Sequence, residues 1–210
     1  MALYSESDFG QLSGKWGEYV AATWLGRNVL RRYPARVPNP RTLVQQANRG
    51  RFATAVQLAK GFLTAIRMGY GMAGPQRSAY NHFLSAALAH IEQLPGLPPQ
   101  VHYPQLPLSQ GSLAPPSILG LQAPTDRDLV VSWSSPLRPT GPPFLAIAAA
   151  VLVDAQPLEF ALSFQPEFQQ QATLTWPRDP QPGEVAHAYL FALDPVNGEP
   201  SPTRHRTLVY

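Results

Sequence analysis

From Pro116 to the C-terminus the chain repeats one pattern: short alternating apolar segments, roughly ten residues apart, separated by Pro and Gly. Segments of that length cannot hold long helices, and their spacing is that of an antiparallel β-sandwich. The pattern predicts strands near 118–122, 129–133, 144–153, 158–164, 172–176, 186–193 and 206–209. In the second of these, Leu129, Val131 and Trp133 point one way while Val130 and Ser132 point the other. Turn chemistry falls between strands at Pro139-Thr140-Gly141, at Asp179-Pro180 with Pro182-Gly183, and at Asn197-Gly198. Seven strands in about ninety-five residues match the size of an immunoglobulin-like domain.

The preceding half reads differently. Residues 15–34 alternate β-branched and aromatic positions around Gly26-Arg27-Asn28, which predicts a β-hairpin. A two-stranded ribbon is marginal in water, so this one must lie on helices or on another chain. Val37-Pro38-Asn39-Pro40 is a stiff connector, and Thr42 is positioned as an N-cap. A helix is expected from there to about Met68, with Phe52, Val56, Ala59, Leu63 and Ile66 forming its apolar stripe. A second is expected from Gln76 to Gln93. Seven prolines between 95 and 116 predict an extended linker with a short edge strand at Leu106–Leu108. The expected class is therefore α+β. A hairpin plus two-helix module spans 1–95, a Pro-rich linker 96–115, and a seven-stranded antiparallel immunoglobulin-like β-sandwich 116–210.

Charge is unevenly placed. Residues 1–95 carry 11 basic and four acidic groups, a net +7, and residues 96–210 carry five Arg and nine acids, a net −4. Between Glu18 and Glu92 there is no carboxylate, and nine of the ten basic groups in that interval are Arg. Arg favours planar, bidentate contacts with carboxylate or phosphate, so the interval points to an anionic partner. Either nucleic acid or the acidic half of another copy would serve.

Several classes of function lack their residues. With no Cys, disulfides and thiol chemistry are absent, and 14% charged with 44% hydrophobic residues is not the composition of a disordered chain. The longest uncharged apolar run, Pro142 to Val153, is about half of the ~20 residues that a membrane-spanning helix needs. The N-terminus is polar and acidic, so no signal peptide is expected. His82 and His90 stand eight apart, not at the i, i+4 spacing of a shared metal. His187 and His205 fall on the last two expected strands and can be neighbours, but a metal there lacks a third ligand. No Ser sits in a Gly-x-Ser-x-Gly elbow, no Gly-rich loop has phosphate-binding spacing, and the carboxylates are scattered singly. The reading is non-enzymatic, with no cofactor and no metal.

Two resemblances add to this. Asp126–Pro136 (DRDLVVSWSSP) resembles the second-strand signature of fibronectin type III domains. An ordered series is formed by Ser13-Gly14-Lys15-Trp16-Gly17, Thr23-Trp24-Leu25-Gly26, Arg31-Arg32-Tyr33-Pro34, Asn39-Pro40-Arg41-Thr42 with Gln45, Arg49 and Phe52, Ser78-Ala79-Tyr80-Asn81 and Ser109-Gln110-Gly111-Ser112-Leu113. This series resembles a family of uncharacterised bacterial proteins that is a domain of unknown function, and small proteins encoded among phage and prophage structural genes. The resemblance implies a Gly-rich hairpin, an Asn-Pro-x-Thr-x-x-Gln-x-x-x-Arg helix start and an immunoglobulin-like C-terminal domain. It implies no activity, and suggests a structural component of a virion or extracellular assembly. The chain departs from the pattern by being rich in Pro and Gln toward its C-terminal half.

The leading expectation is a structural subunit that self-assembles head-to-tail into a homo-oligomer or filament, in a virion or extracellular assembly, or otherwise in the cytoplasm. Its partner-binding set is Trp16, Tyr19, Val20 and Trp24 with Arg27, Arg31, Arg32, Arg36, Arg41, Arg49 and Arg51. A nucleic-acid-binding or packaging accessory is the alternative on the same residues. A third reading, a surface- or glycan-binding module, needs exposed Trp176, Tyr189 or Phe191.

Overall fold

The structure is a computed structural model that describes residues 2–3, 12–24, 26–34, 41–71, 78–135, 143–153 and 157–210. Its contacts divide the chain into two units, Met1–Thr42 and Leu43–Tyr210. The predicted connector at 37–40 lies outside the described residues.

The first unit is a four-stranded antiparallel sheet rather than a two-stranded ribbon. Its strands are β1 (Ala2–Leu3), β2 (Gly14–Trp16), β3 (Tyr19–Trp24) and β4 (Arg27–Arg32), in the order β1-β4-β3-β2. Gly17 (φ +58°) splits the expected first arm of the hairpin by letting the chain turn between Trp16 and Tyr19. Gly26 (φ +72°) does the same between Trp24 and Arg27, one step earlier than the Gly-Arg-Asn reading placed the turn.

The second unit holds the helices α1 (Leu43–Gly61), α2 (Leu63–Gly69) and α3 (Ala79–Ala87), where Ser78 caps the last by accepting from the Asn81 N–H. A 3₁₀ turn (Leu88–His90) and the small pair β5 (Ile91–Glu92) and β6 (Gln100–Val101) follow. Next come β7 (Ser117–Gln122), β8 (Asp128–Ser134), β9 (Leu145–Val153), β10 (Glu159–Pro166), β11 (Gln171–Thr175), β12 (Val185–Leu193) and β13 (Arg204–Val209). Each of the seven strand segments expected from residue 118 onward is a strand. They form two antiparallel sheets, β10-β9-β12-β13 and β11-β8-β7.

Strand β9 shows how the layers stack. Its alternate residues Ala146, Ala148, Ala150 and Leu152 join a core with Leu129, Val131 and Trp133 of β8 and Leu174 of β11, so the two sheets face each other there. The intervening Ile147, Ala149 and Val151 join a second core with Ala55, Leu58, Phe62 and Ile66 of the helical segment. The four-stranded sheet is thus covered on both faces, which is why β9 reads as a nearly continuous apolar run. Small side chains allow close approach from either side.

The helices therefore share a core with the C-terminal strands. Of the expected stripe, Ala59 and Ile66 are buried and Val56 packs against the core, but Phe52 is 50% exposed, while Ala55, Leu58 and Phe62 are buried as well. The helical run breaks at Phe62, whose ring meets Phe160 edge-on at 4.9 Å and Tyr189 at 5.6 Å. Gly61 beside it must be glycine, because a Cβ there would overlap the Phe160 ring. The second predicted helix is shorter than expected, its last residues being taken by the 3₁₀ turn and β5.

The expected linker is packed as well. It carries a 3₁₀ turn (Tyr103–Gln105), then buries Leu106 and Leu108 in the helical core instead of forming an edge strand. Ser109 is held by three bonds. Its N–H donates to Thr203 Oγ1 at 2.8 Å, and its hydroxyl donates to the Ser201 carbonyl at 2.7 Å and lies 2.9 Å from Thr203 Oγ1. Gly111 lies flat on Pro200, where a Cβ would overlap the carbonyl. The Ser109–Leu113 motif is therefore a clasp onto the turn before β13.

Phe62→Ala should lose about 3–5 kcal/mol of stability, read as a lower urea midpoint. Gly61→Ala separates two effects. Helix propensity alone predicts a gain of about 0.5–1 kcal/mol, whereas collision with Phe160 predicts a loss of about 1–3 kcal/mol. The loss should be largely recovered when Phe160→Leu is added, as a double-mutant cycle.

Candidate functional site

In the N-terminal sheet, cross-strand partners share a face. Trp16, Tyr19 and Arg32 are paired in one row across β2, β3 and β4, and Lys15, Val20 and Arg31 form the next row on the opposite face. Trp16 is 56% and Tyr19 43% exposed, Val20 is half-buried, and Arg27, Arg31 and Arg32 are exposed. Trp24 pairs with Arg27 at the far end. Arg32 lies 3.4 Å from Glu18, an exposed ion pair that contributes little. The Lys15 ammonium sits 4.4 Å from the centre of the Tyr33 ring, a cation–π contact. Lys15, Glu18, Arg32 and Tyr33 line an open cleft with Gly17 and Pro34.

The rest of the predicted set does not join this sheet into one site. Arg36 lies outside the described residues. Arg41 is exposed in the first unit, while Arg49 and Arg51 belong to α1 in the second. Arg51 is half-buried and donates through Nη2 to the Leu88 carbonyl, which makes it a cap for the 3₁₀ turn.

Charge follows the observed units differently from the expected halves. Residues 1–42 carry six basic and three acidic groups, and residues 43–210 carry ten of each. Many carboxylates of the second unit are bonded internally. Arg178 bridges Glu159 (2.8 Å) and Glu184 (2.5 Å), and its hydrogen bond to Glu184 holds that carboxyl below its ordinary value. Arg127 pairs with Asp179, Glu167 accepts from the Phe144 N–H, Asp128 bonds Thr125 and Thr175, and Asp194 caps its own turn.

The second unit places one further cluster. His187 on β12 and His205 on β13 do meet, with His187 Nδ1 3.0 Å from His205 Nε2. Their ring centres are 5.2 Å apart at 27°, close to the sum of that separation and the two ring radii, so the rings meet rim to rim. Such a pair shares one proton, one ring donating and the other accepting. Tyr103 lies flat on His187 at 4.6 Å, and Tyr189 packs on His205 at 5.1 Å while donating its hydroxyl to the Tyr103 carbonyl at 2.9 Å. Burial lowers both imidazoles, with His205 adding to the effect on His187, which falls to about 4. Tyr103 gave no signal in the sequence, because it lies in a stretch that reads as linker.

Among the described residues no three His, Cys, Asp or Glu gather where a metal could sit. His82 stacks on Tyr70 instead, and His90 bonds Gln105. The aromatic residues named for a glycan platform, Trp176, Tyr189 and Phe191, are all buried, and Trp176 donates its indole N–H to Tyr210. No helix among the described residues is long and apolar enough to cross a membrane.

No curated protein matches the chain. Residues 11–188 do match a family of unknown function, DUF6266, and the match runs from the N-terminal sheet through the helices into β12. The exposed aromatic row, the helical layer and most of the paired sheets thus belong to one recurring unit of sequence, and the chain is a member of the DUF6266 family.

Proposed function

We propose that this chain is a non-enzymatic structural subunit that joins copies of itself through its N-terminal sheet, in a virion or extracellular assembly. One observation carries this reading: the row Trp16–Tyr19–Arg32 leaves two large aromatics and a guanidinium exposed together on a four-stranded sheet. Trp, Tyr and Arg are the residue types that anchor protein interfaces, and burying them would stabilise a sheet with a thin core of its own. Net charge supports the idea less than the sequence suggested, since the second unit is neutral and uses many of its carboxylates itself. Aromatic burial is the main driving force, and Arg32 on the same face directs it.

The C-terminal strands serve here as an immunoglobulin-like, fibronectin type III-like scaffold. Seven strands divided three and four, with Trp133 on the second, support that assignment. Its helical layer is an addition on the outer face of the larger sheet.

Trp16→Ala/Tyr19→Ala in the full chain should weaken association by roughly 30-fold or more for each anchor removed, as interface hot spots do. Sedimentation velocity over a concentration series checks this. A wild-type chain that stays monomeric throughout, or a variant that assembles as well as wild type, overturns the proposal.

A second reading rests on the carboxylate-free interval between Glu18 and Glu92: the same sheet as a nucleic-acid contact. Affinity for single-stranded DNA should then fall steeply with salt, and Arg31→Ala/Arg32→Ala should reduce the log–log slope by about 1.4. Binding without salt dependence ends that reading.

A further inference from the structure

We propose that His187 and His205 form an acid-operated latch, which at neutral pH holds the Tyr103 segment and β13 onto β12 and below it lets them go. The geometry carries this. Two imidazoles meeting rim to rim 3.0 Å apart have room for one proton between them. One added proton can sit on an outward nitrogen and leave the N–H···N bond in place, but when both rings are protonated two N–H groups and two positive charges stand head on, so the pair must separate.

The surroundings offer no compensation. On β12 the neighbour is Tyr189, and from β9 come its register partner Ala149 and Val151 opposite His187. On β13 the Thr207 hydroxyl is 3.4 Å from His187 Nδ1, while Arg206 reaches to the carbonyls of Ile118 and Leu119. Arg204 shares with His205 the rim of a cleft bounded by Pro104–Pro107 and Pro202–Thr203, which adds a cation and no anion. From the 103–105 turn come Tyr103, flat on His187, and Gln105, bonded to His90. Among the described residues no carboxylate is bonded to either ring.

What the latch holds follows from the same contacts. Tyr103 touches His187 with its ring and receives the Tyr189 hydroxyl on its carbonyl, so splitting the pair loosens the turn that leads into Leu106 and Leu108. His205 lies in β13, an edge strand of its sheet that pairs in-sheet with β12. Acid would therefore release one edge of the molecule, not its centre.

The pH window follows from the lowered imidazoles. The unfolded chain takes up these protons near 6.5, and the latched chain only near 4 at His187. The latch is therefore at full strength above about 6.5 and weakens as pH falls from there toward about 4.

Hydrogen exchange of the full chain at pH 7 and pH 4.5, corrected for intrinsic rates, tests this. Peptides covering 100–109 and 204–209 should exchange about tenfold faster or more at pH 4.5, while β9 stays protected. The His187→Gln/His205→Gln chain should lose that difference. Imidazole ¹⁵N shifts of the wild type read the pair independently of any variant, and should show one donor and one acceptor nitrogen facing each other at neutral pH. Rings that titrate separately near 6.5 overturn the proposal, as does acid exchange that rises equally in β9 or equally in the glutamine variant.

Discussion

Burial of β9 on both faces is the constraint from which the second unit's architecture follows. A strand with Ala146, Ala148 and Ala150 on one side and Ile147, Ala149 and Val151 on the other has no solvent face, so a layer must cover each side. The three-stranded sheet covers the first, closing on Trp133 and Leu174. The helical segment covers the second, and Phe62 seats it between Phe160 and Tyr189. Gly61 follows from that seat, because a Cβ there would collide with the Phe160 ring unless the ring moved. The 103–111 segment then has a defined place, its leucines filling the helical core and its Ser109 tied to Ser201 and Thr203.

The seven C-terminal strands were legible because each keeps alternation or a bounded apolar run, and because Pro and Gly mark their ends. The partner of the helices was not. The unbroken apolar run of Leu145–Val153 is what a strand buried on both faces shows, but it does not say which element supplies the second covering layer. The helical stripe suffered from the same cause. Phe52 looked like core by residue type, yet beside the expected Ala59 the buried positions of α1 are Ala47, Ala55 and Leu58. The proline-rich segment misled differently, since Pro removes backbone donors without preventing Leu106 and Leu108 from packing.

The candidate site divides along the same line. His187 and His205 could be paired in advance because antiparallel neighbours two positions out of register share a face, and the register sets His187 opposite Thr207 and His205 opposite Tyr189. Their covering residue, Tyr103, comes from another layer and could not be inferred from strand spacing. The arginines show the converse error. Composition grouped Arg27 through Arg51 as one basic surface, but Arg51 turns inward to a carbonyl, and the carboxylates that seemed to form a complementary face are bonded to Arg127, Arg178 and backbone groups of their own unit.

These assignments narrow where recognition can occur. Aromatic side chains are the strongest source of binding energy in a chain so poor in charge, and the two units use theirs in opposite ways. In the second unit Trp133, Trp176, Tyr189 and Phe191 are consumed in packing, with their polar atoms bonded wherever they have one. In the first unit Trp16, Tyr19 and Tyr33 stay on the surface beside Lys15, Arg31 and Arg32. The second unit spends those large aromatics on its own packing, and the first leaves its own beside cations, where the proposed contact would use them. A contact through the first unit would bury aromatic area that the fold leaves exposed beside cationic side chains, whereas the aromatics that the second unit leaves exposed, Phe52, Phe164 and Phe168, have no polar atom to direct a partner.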